Sequence, residues 1–222
     1  MYMALTQISN KIRWATARLK NKNIIVQFGP PRSGSTVIYN ILREVFPKKT
    51  IKKRHRYSPK DSIWPIVVSY RHPLDCIASR IQCCNQSPTD EVLEEQIISF
   101  DESGIWDVLK IRNQANVLML RYEDFVYDYN LIYDQIERHF RISISQEKRN
   151  AITSRYQIKA VEKLIGDKTS FDEYDPVTQL HGKHISKYKG KPYYYQTFFS
   201  AEQIEYLKTV YELYLNELNY TQ

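Results

Sequence analysis

The distribution of apolar and polar residues along the chain predicts short buried strands that alternate with longer helices. Short apolar runs, two of them rich in isoleucine and valine, have the composition of strands that are covered on both faces. They occupy residues 24–28, 66–70 and 116–120. Stretches in which apolar residues recur every three or four positions predict helices. These are expected at residues 4–20, 36–45, 88–113, 128–140, 146–165 and 200–218, with one more that opens at Pro73.

Turn and capping residues define the ends of several of these helices. Pro47 cannot extend the helix before it, whereas Pro73 suits the first position of a helix. Gly166 is a suitable stop for the helix that precedes it. Ser200 and Gln203 have the spacing of a capping box, which predicts that the last helix begins there.

The order of these elements predicts an α/β fold. Strands that alternate with helices form a parallel sheet with helices on both faces, which is a three-layer arrangement. The length of 222 residues suits one domain, 1–222, with the amphipathic helix at 4–20 packed on it. Ligands of such sheets bind beyond the carboxyl ends of the strands, so the chemistry is expected in the segments that follow them.

Composition narrows the class of partner without identifying it. The formal net charge of +7 favours nucleotides, sulfated or phosphorylated ligands, nucleic acid or an anionic membrane. The three cysteines, Cys76, Cys83 and Cys84, form no zinc-binding pair, and neighbouring cysteines rarely form a disulfide. Reduced thiols and a cytoplasmic setting are therefore expected. No apolar stretch is long enough to span a bilayer, and no spacing of His, Cys and Asp indicates a metal site.

A loop of glycine, proline and serine follows the first strand and precedes a helix, at residues 29–36. Backbone amides at the start of a helix attract anions, and glycine allows a phosphate to come close. The spacing of Gly29 and Gly34 matches a P-loop, but Ser35 stands where the P-loop lysine belongs. Arg32 supplies the cation instead, and no acidic residue ends the strand at 66–70 to organise Mg²⁺.

This loop, GPPRSGST, resembles the 5′-phosphosulfate loop of sulfotransferases that use 3′-phosphoadenosine 5′-phosphosulfate (PAPS). The resemblance implies PAPS as co-substrate, no metal, and a P-loop-like sulfotransferase architecture. It implies cofactor contacts from five consecutive residues, which are Arg32, Ser33, Gly34, Ser35 and Thr36. Arg32 takes the position of a lysine, as in several carbohydrate and protein-tyrosine sulfotransferases. Val37 stands where the family usually has a tryptophan that stacks on adenine.

Three later segments resemble further motifs of the same family, in the family's order. Arg71 and Ser79 match the 3′-phosphate motif, and an arginine at a strand end is a planar donor for phosphate. Tyr122 lies in a YED segment like the one near the adenine, although a turn that only packs the sheet is the alternative. Lys189 and Gly190 match a diverged cofactor loop, although a basic loop without a ligand is the alternative.

His55 ends a segment, IKKRH, that resembles the family's IKTH strand end. The resemblance implies that His55 is the general base, and a pKa near ~6.5 suits that role at neutral pH. Arg32 would stabilise the charge that grows on the departing phosphate oxygen. His72, His181 and His184 are rival candidates for the base.

The resemblance implies transfer of a sulfuryl group from PAPS to a hydroxyl or amine. A small-molecule or carbohydrate acceptor is expected, with neither nucleic acid nor a membrane as partner. No sequence pattern indicates the oligomeric state. The main competing function is that of an ATP-dependent kinase or nucleotide-binding protein of the P-loop type. Two further functions stay open: a nucleic-acid-binding module, which would need a basic groove interleaved with aromatics, and a family member that only binds the nucleotide.

Overall fold

The computed structural model describes residues 23–168 and 170–220. The amphipathic helix expected at 4–20 lies outside the described residues. Within the described residues, no helix has the length and apolar character that crossing a membrane requires.

Over residues 23–168 and 170–220, four parallel strands form one sheet in the order β2-β1-β3-β4. The strands are β1 (Ile24–Phe28), β2 (Thr50–Arg54), β3 (Ile66–Tyr70) and β4 (Val117–Arg121). The chain passes from β1 to β2 on one side and then returns to β3 on the other side of β1. The crevice where connections diverge in this way is the usual ligand site of open parallel sheets.

Helices connect the strands and complete the chain after β4. Their bounds are α1 (Ser35–Val45), α2 (Pro73–Cys83), α3 (Asp90–Glu102), α4 (Asp107–Ile111), α5 (Tyr122–Phe125), α6 (Asn130–Phe140), α7 (Gln146–Tyr156), α8 (Ile158–Ile165), α9 (Tyr195–Phe198), α10 (Ala201–Val210) and α11 (Glu212–Glu217). A 3-10 helix (Pro59–Ile63) precedes β3.

Alternate residues of the central strands enter two separate apolar clusters, one on each face of the sheet. Val26 and Phe28 pack with α2, α3 and the C-terminal helices, whereas Ile25 packs with α1, α6 and α7. Both clusters are buried because β1 and β3 are covered on both faces, which is why their sequences are almost continuously apolar. The predicted three-layer α/β class is confirmed.

Several predicted element bounds differ from the observed ones. The helix predicted at 146–165 is two helices, because the backbone of Gln157 is extended. The helix predicted to run to residue 218 is interrupted at Tyr211, although the capping box at Ser200 forms as expected. The stretch at 88–113 holds two helices, and Thr89 caps the first of them.

Candidate functional site

A cavity of about 320 Å³ opens at the carboxyl edge of the sheet. Its walls come from the loop after β1, the residues that follow β2 and β3, the start of α5, helix α8 and residues 181–190. All but one of the residues predicted from the sequence line it: Arg32, Gly34, Ser35, Thr36, His55, Arg71, Ser79, Tyr122, Lys189 and Gly190. The five separate sequence segments therefore share one cavity.

The loop after β1 presents backbone donors to this cavity. Arg32 and Gly34 have φ angles of 69° and 80°, and these left-handed residues turn the chain into α1. Among the described residues, no group accepts a hydrogen bond from the N–H of Gly34, Ser35 or Thr36. The first turn of α1 carries no acidic residue. Free amides at a helix start attract an anion.

Ser33 is the predicted contact that does not line the cavity. Its hydroxyl donates to the carbonyl oxygen of Pro30 at 2.7 Å and lies 3.1 Å from the Ser69 hydroxyl. Gln27 donates to that same Ser69 oxygen at 3.3 Å. The side chain of Ser33 therefore holds the loop against β3 from behind.

Arg32 joins three parts of the cavity wall. Its Nε donates to the Ser79 hydroxyl on α2 at 2.9 Å, and a terminal nitrogen donates to the carbonyl oxygen of Lys183 at 2.9 Å. Burial lowers the pKa of Arg32, but a guanidinium stays charged at neutral pH. The cation of the loop therefore contacts Ser79 directly, instead of leaving that hydroxyl to Arg71.

Arg71 leaves the end of β3 and is 4% exposed. It lies 3.3 Å from the carboxylate of Asp75 and 4.3 Å above the ring of Tyr122, and it donates to the carbonyl oxygen of Lys191 at 3.1 Å. Its Nε is buried without a partner among the described residues. Burial disfavours the charged form, but Tyr122 and Asp75 outweigh it and raise the pKa of Arg71. The guanidinium is thus fixed, with one donor still to be satisfied.

Asp75 is a site residue that the sequence did not reveal. One carboxylate oxygen accepts from the backbone N–H of Tyr193 at 2.7 Å and the other from that of Tyr195 at 3.1 Å. Asp75 therefore fixes the cofactor-loop segment to the end of β3 through Arg71. The available signal was its position, four residues after Arg71, where a helical turn brings the two side chains together.

Tyr122 lies between the two glycine positions of the cavity. Its hydroxyl donates to the carbonyl oxygen of Gly190 at 2.8 Å. A Cβ atom added to Gly190 would overlap that hydroxyl, and one added to Gly34 would lie 2.8 Å from a ring carbon of Tyr122. Both glycines also have positive φ angles, so no other residue fits either position without strain.

Lys53 and His55 lie on the β2 side of the cavity. The ammonium of Lys53 donates to the Thr36 hydroxyl at 2.5 Å, and desolvation lowers the pKa of this lysine to about 8. Nδ1 of His55 lies 2.8 Å from the carbonyl oxygen of Gly29, which can only accept. The neutral ring therefore carries its proton on Nδ1 and keeps the lone pair on Nε2. Desolvation lowers the pKa of His55, and the bond to Gly29 opposes that shift.

The remaining histidines of the site region differ in their relation to the cavity. His72 does not line it; the ring stacks on Tyr195 at 4.6 Å, and desolvation lowers its pKa to about 3. His181 and His184 do line it, with ring centroids 4.5 Å apart. His55 is distinguished from both by the carbonyl bond that sets its tautomer.

The cavity combines positive charge with an apolar wall. Arg32, Lys53, Arg71 and Lys189 line it, and none of its described lining residues is a carboxylate. Apolar and aromatic side chains form the remaining wall: Val37, Tyr122, Tyr156, Ile158, Val161, Phe171 and Ile185. Such a lining suits a ligand with anionic groups at two points and a flat apolar part between or beside them.

No family model and no curated protein matches the sequence. The fold does match solved sulfotransferase structures. Mouse sulfotransferase SULT7A1 complexed with PAP aligns with a TM-score of 0.65 over 88% of this chain and 84% of that chain, at 12% identity. Retinol dehydratase with androsterone and the inactive cofactor PAP aligns with a TM-score of 0.65 over 87% and 80%, at 12% identity. Its complex with retinol and PAP gives 0.64 over 87% and 81%, at 12% identity. The sulfotransferase fold is thereby confirmed.

Proposed function

We propose, starting from this shared fold, that the chain transfers a sulfuryl group from PAPS to a hydroxyl or amine of an acceptor. One observation carries the proposal. Two arginines that follow different strands, the half-buried Arg32 and the buried Arg71, line the same cavity, whose described lining holds no carboxylate. Each is oriented by its own set of protein contacts. A nucleotide phosphorylated at both the 5′ and 3′ positions carries anions at two such points.

The residues present fit that nucleotide. The free N–H groups of Gly34, Ser35 and Thr36 and the guanidinium of Arg32 would hold the 5′-phosphosulfate. Arg71, whose buried Nε still needs an acceptor, would hold the 3′-phosphate. Gly190 would keep the loop against Tyr122 beside that phosphate, since a side chain at this position would strike the Tyr122 hydroxyl.

PAPS, when bound, supplies an activated sulfuryl group on a phosphate that can leave. The chain's own residues perform the remaining work. Arg32 and the start of α1 stabilise negative charge at the 5′ end of the cavity. Nε2 of His55, left unprotonated by the bond to Gly29, accepts the proton of the attacking hydroxyl or amine. Burial keeps the ring neutral near pH 7, which is the form that a base requires.

An ATP-dependent kinase receives less support from the site. The P-loop lysine position holds Ser35, and no carboxylate lines the described part of the cavity to organise Mg²⁺. The acceptor is proposed to be a small molecule or a carbohydrate. The solved complexes of retinol dehydratase hold androsterone or retinol, which are small molecules.

The experiment compares binding and turnover in wild type and His55→Asn. Adenosine 3′,5′-bisphosphate (PAP) is expected to bind the wild type in calorimetry, and ATP with Mg²⁺ to bind at least about tenfold more weakly. Loss of the base is expected to lower transfer from labelled PAPS to an acceptor panel by about 100- to 10,000-fold. The affinity for PAP is expected to stay within about twofold, since His55 is assigned to the acceptor. Preference for ATP would contradict the proposal, and full turnover in His55→Asn would exclude that base.

A further inference from the structure

Two histidines in the cavity wall carry buried nitrogens that the proposed transfer does not use. Nδ1 of His181 and Nδ1 of His184 have no hydrogen-bond partner among the described residues. Their rings lie 4.5 Å apart, and both line the cavity. A buried polar atom without a partner costs about 1–3 kcal/mol, so such atoms in a binding cavity usually face a ligand.

The pair lies at the reactive end of the cavity. The carbonyl oxygen of Lys183, between the two histidines in sequence, accepts from Arg32 at 2.9 Å. The positive charges that act on both rings are those of Arg32 and Lys53, and Lys53 itself donates to Thr36 at the start of α1. Arg32 and the start of α1 are assigned to the 5′-phosphosulfate, whereas Arg71 and Lys189 mark the other end.

A defined scaffold holds this segment in place. The backbone N–H of Gly182 donates to the carbonyl oxygen of Ser170 at 3.0 Å, and the backbone N–H of His184 donates to the carbonyl oxygen of His181 at 3.1 Å. Asn40 on α1 donates to the carbonyl oxygen of Thr178 at 2.8 Å. Leu180 packs with α8 in a separate small cluster. The backbone that carries the two rings is therefore held by protein contacts.

Both rings are neutral at physiological pH. Desolvation and the nearby cations lower the pKa of His181 to about 4, and that of His184 well below its ordinary value. A neutral imidazole donates a hydrogen bond from its ring N–H group without adding a charge to the site. In a low-dielectric cavity, such a bond to an anionic oxygen is stronger than it would be in water. The two rings thus suit oxygens that bear partial negative charge.

We propose that Nδ1 of His184 donates a hydrogen bond to the sulfuryl group that is transferred. His181 packs against the His184 ring and keeps it in position. This inference rests on the proposed function. It assigns to the segment 181–184 a role in recognising the group that distinguishes PAPS from its product PAP. Arg71 is assigned to the opposite end of the ligand, and the hydrogen bond from His184 would add to the contacts that Arg32 and the start of α1 make with the 5′-phosphosulfate.

The test measures the affinities for PAPS without acceptor and for PAP by calorimetry. His184→Ala is expected to weaken PAPS binding by about tenfold, the size of one hydrogen bond to a charged group, and to leave PAP binding within about twofold. Turnover is expected to fall by about 100-fold, as when one donor to a developing charge is removed. His184→Asn, which places an amide nitrogen near the position of Nδ1, is expected to restore most of both. His139→Ala, on α6 and outside the cavity lining, is the matched control and should change neither.

The outcomes separate this inference from the function on which it rests. Equal losses for PAP and PAPS would move His184 to the nucleotide and overturn the inference, as would unchanged PAPS binding in both variants. A wild type that binds neither compound would overturn the function itself. If His184→Ala does not fold, His184→Phe takes its place, because it keeps the bulk of the ring and lacks the Nδ1 donor; a ratio of PAPS to PAP affinity equal to that of the wild type would overturn the inference.

Discussion

The two anion-binding regions of the cavity are built in different ways. The first is a continuous loop, residues 29–36, whose donors are mostly backbone N–H groups at the start of α1. The second is assembled from side chains on separate segments, with Arg71 held by Asp75, by Tyr122 and by the carbonyl oxygen of Lys191. The loop depends on backbone shape, whereas the assembled region depends on a buried ion pair.

This difference predicts different responses to substitution. A backbone donor survives the replacement of most side chains, so the loop is sensitive mainly where its conformation is special, at Arg32 and Gly34. In the assembled region each member supports the others, because Asp75 also accepts from the backbone of Tyr193 and Tyr195. A change in one member there should affect both stability and binding.

The largest effect is expected for Arg71→Met, which would break the assembled region at its centre. Asp75 would remain as a buried carboxylate without its cation, and the loss of one partner of a buried pair costs about 3–5 kcal/mol of unfolding free energy. The affinity for PAP should fall by about 100-fold, which calorimetry measures. Arg155→Met, which removes an exposed pair with Glu44, should cost at most about 1 kcal/mol and leave PAP affinity unchanged.

Arg71→Lys keeps this prediction testable if the methionine variant does not fold. It retains the charge beside Asp75 but loses the planar fork that a phosphate matches. A folded Arg71→Lys protein with wild-type PAP affinity would show that the assembled region is not an anchor for the 3′-phosphate.

A smaller effect is expected at Gly190, where the assembled region meets Tyr122. Gly190→Ala would place a Cβ on the Tyr122 hydroxyl and should weaken PAP binding by about 30-fold, which corresponds to roughly 2 kcal/mol of overpacking. Gly166→Ala is the matched control, because Gly166 also has a positive φ angle but its added Cβ would lie no closer than 3.9 Å to any neighbour. Equal PAP affinities in the two variants would mean that the contact between the added Cβ and Tyr122 does not affect binding.

The smallest effect concerns the loop side, where Lys53 should make PAP binding depend on pH. Its pKa of about 8 in the folded chain lies below the ordinary 10.5, so the folded chain binds fewer protons between these values and its stability rises with pH there. Lys53 donates to Thr36 at the start of α1, where the 5′-phosphate of PAP would bind. That phosphate would raise the pKa of the Lys53 ammonium, so PAP binding takes up a proton above pH 8. PAP affinity should fall about tenfold from pH 7 to pH 9. In Lys53→Met the pH dependence between pH 7 and pH 9 should vanish; an unchanged pH profile would show that Lys53 is not the group that takes up the proton.

Much of the fold was predictable because its signals are local. The continuously apolar strands at 24–28 and 66–70, the turn into α1 and the capping box at Ser200 each depend on a few neighbouring residues. The break at Gln157 was not predictable, since neither glycine nor proline marks it. The two helices differ in the apolar clusters that they join, which is a property of the tertiary packing.

The site was predictable where a motif is contiguous and obscure where contacts are distant in sequence. Arg32, Arg71 and His55 carry recognisable spacing, and all three line the cavity. The function of Asp75 depends on backbone N–H groups more than a hundred residues away, for which the sequence offers no pattern. Ser33 belongs to the loop motif, yet its hydroxyl bonds within the protein, because motif membership does not specify the direction of a side chain.

Tyr122 determines how far apart the two regions stand. Its ring is in near contact with the position of a Gly34 side chain on one edge, while its hydroxyl holds Gly190 on the other. The distance between the two regions is therefore set by the width of the Tyr122 ring and not by the length of the chain that joins them. Insertions at the exposed turn between α6 and α7, at residues 141–143, would leave that distance unchanged, because the turn lies outside the cavity lining.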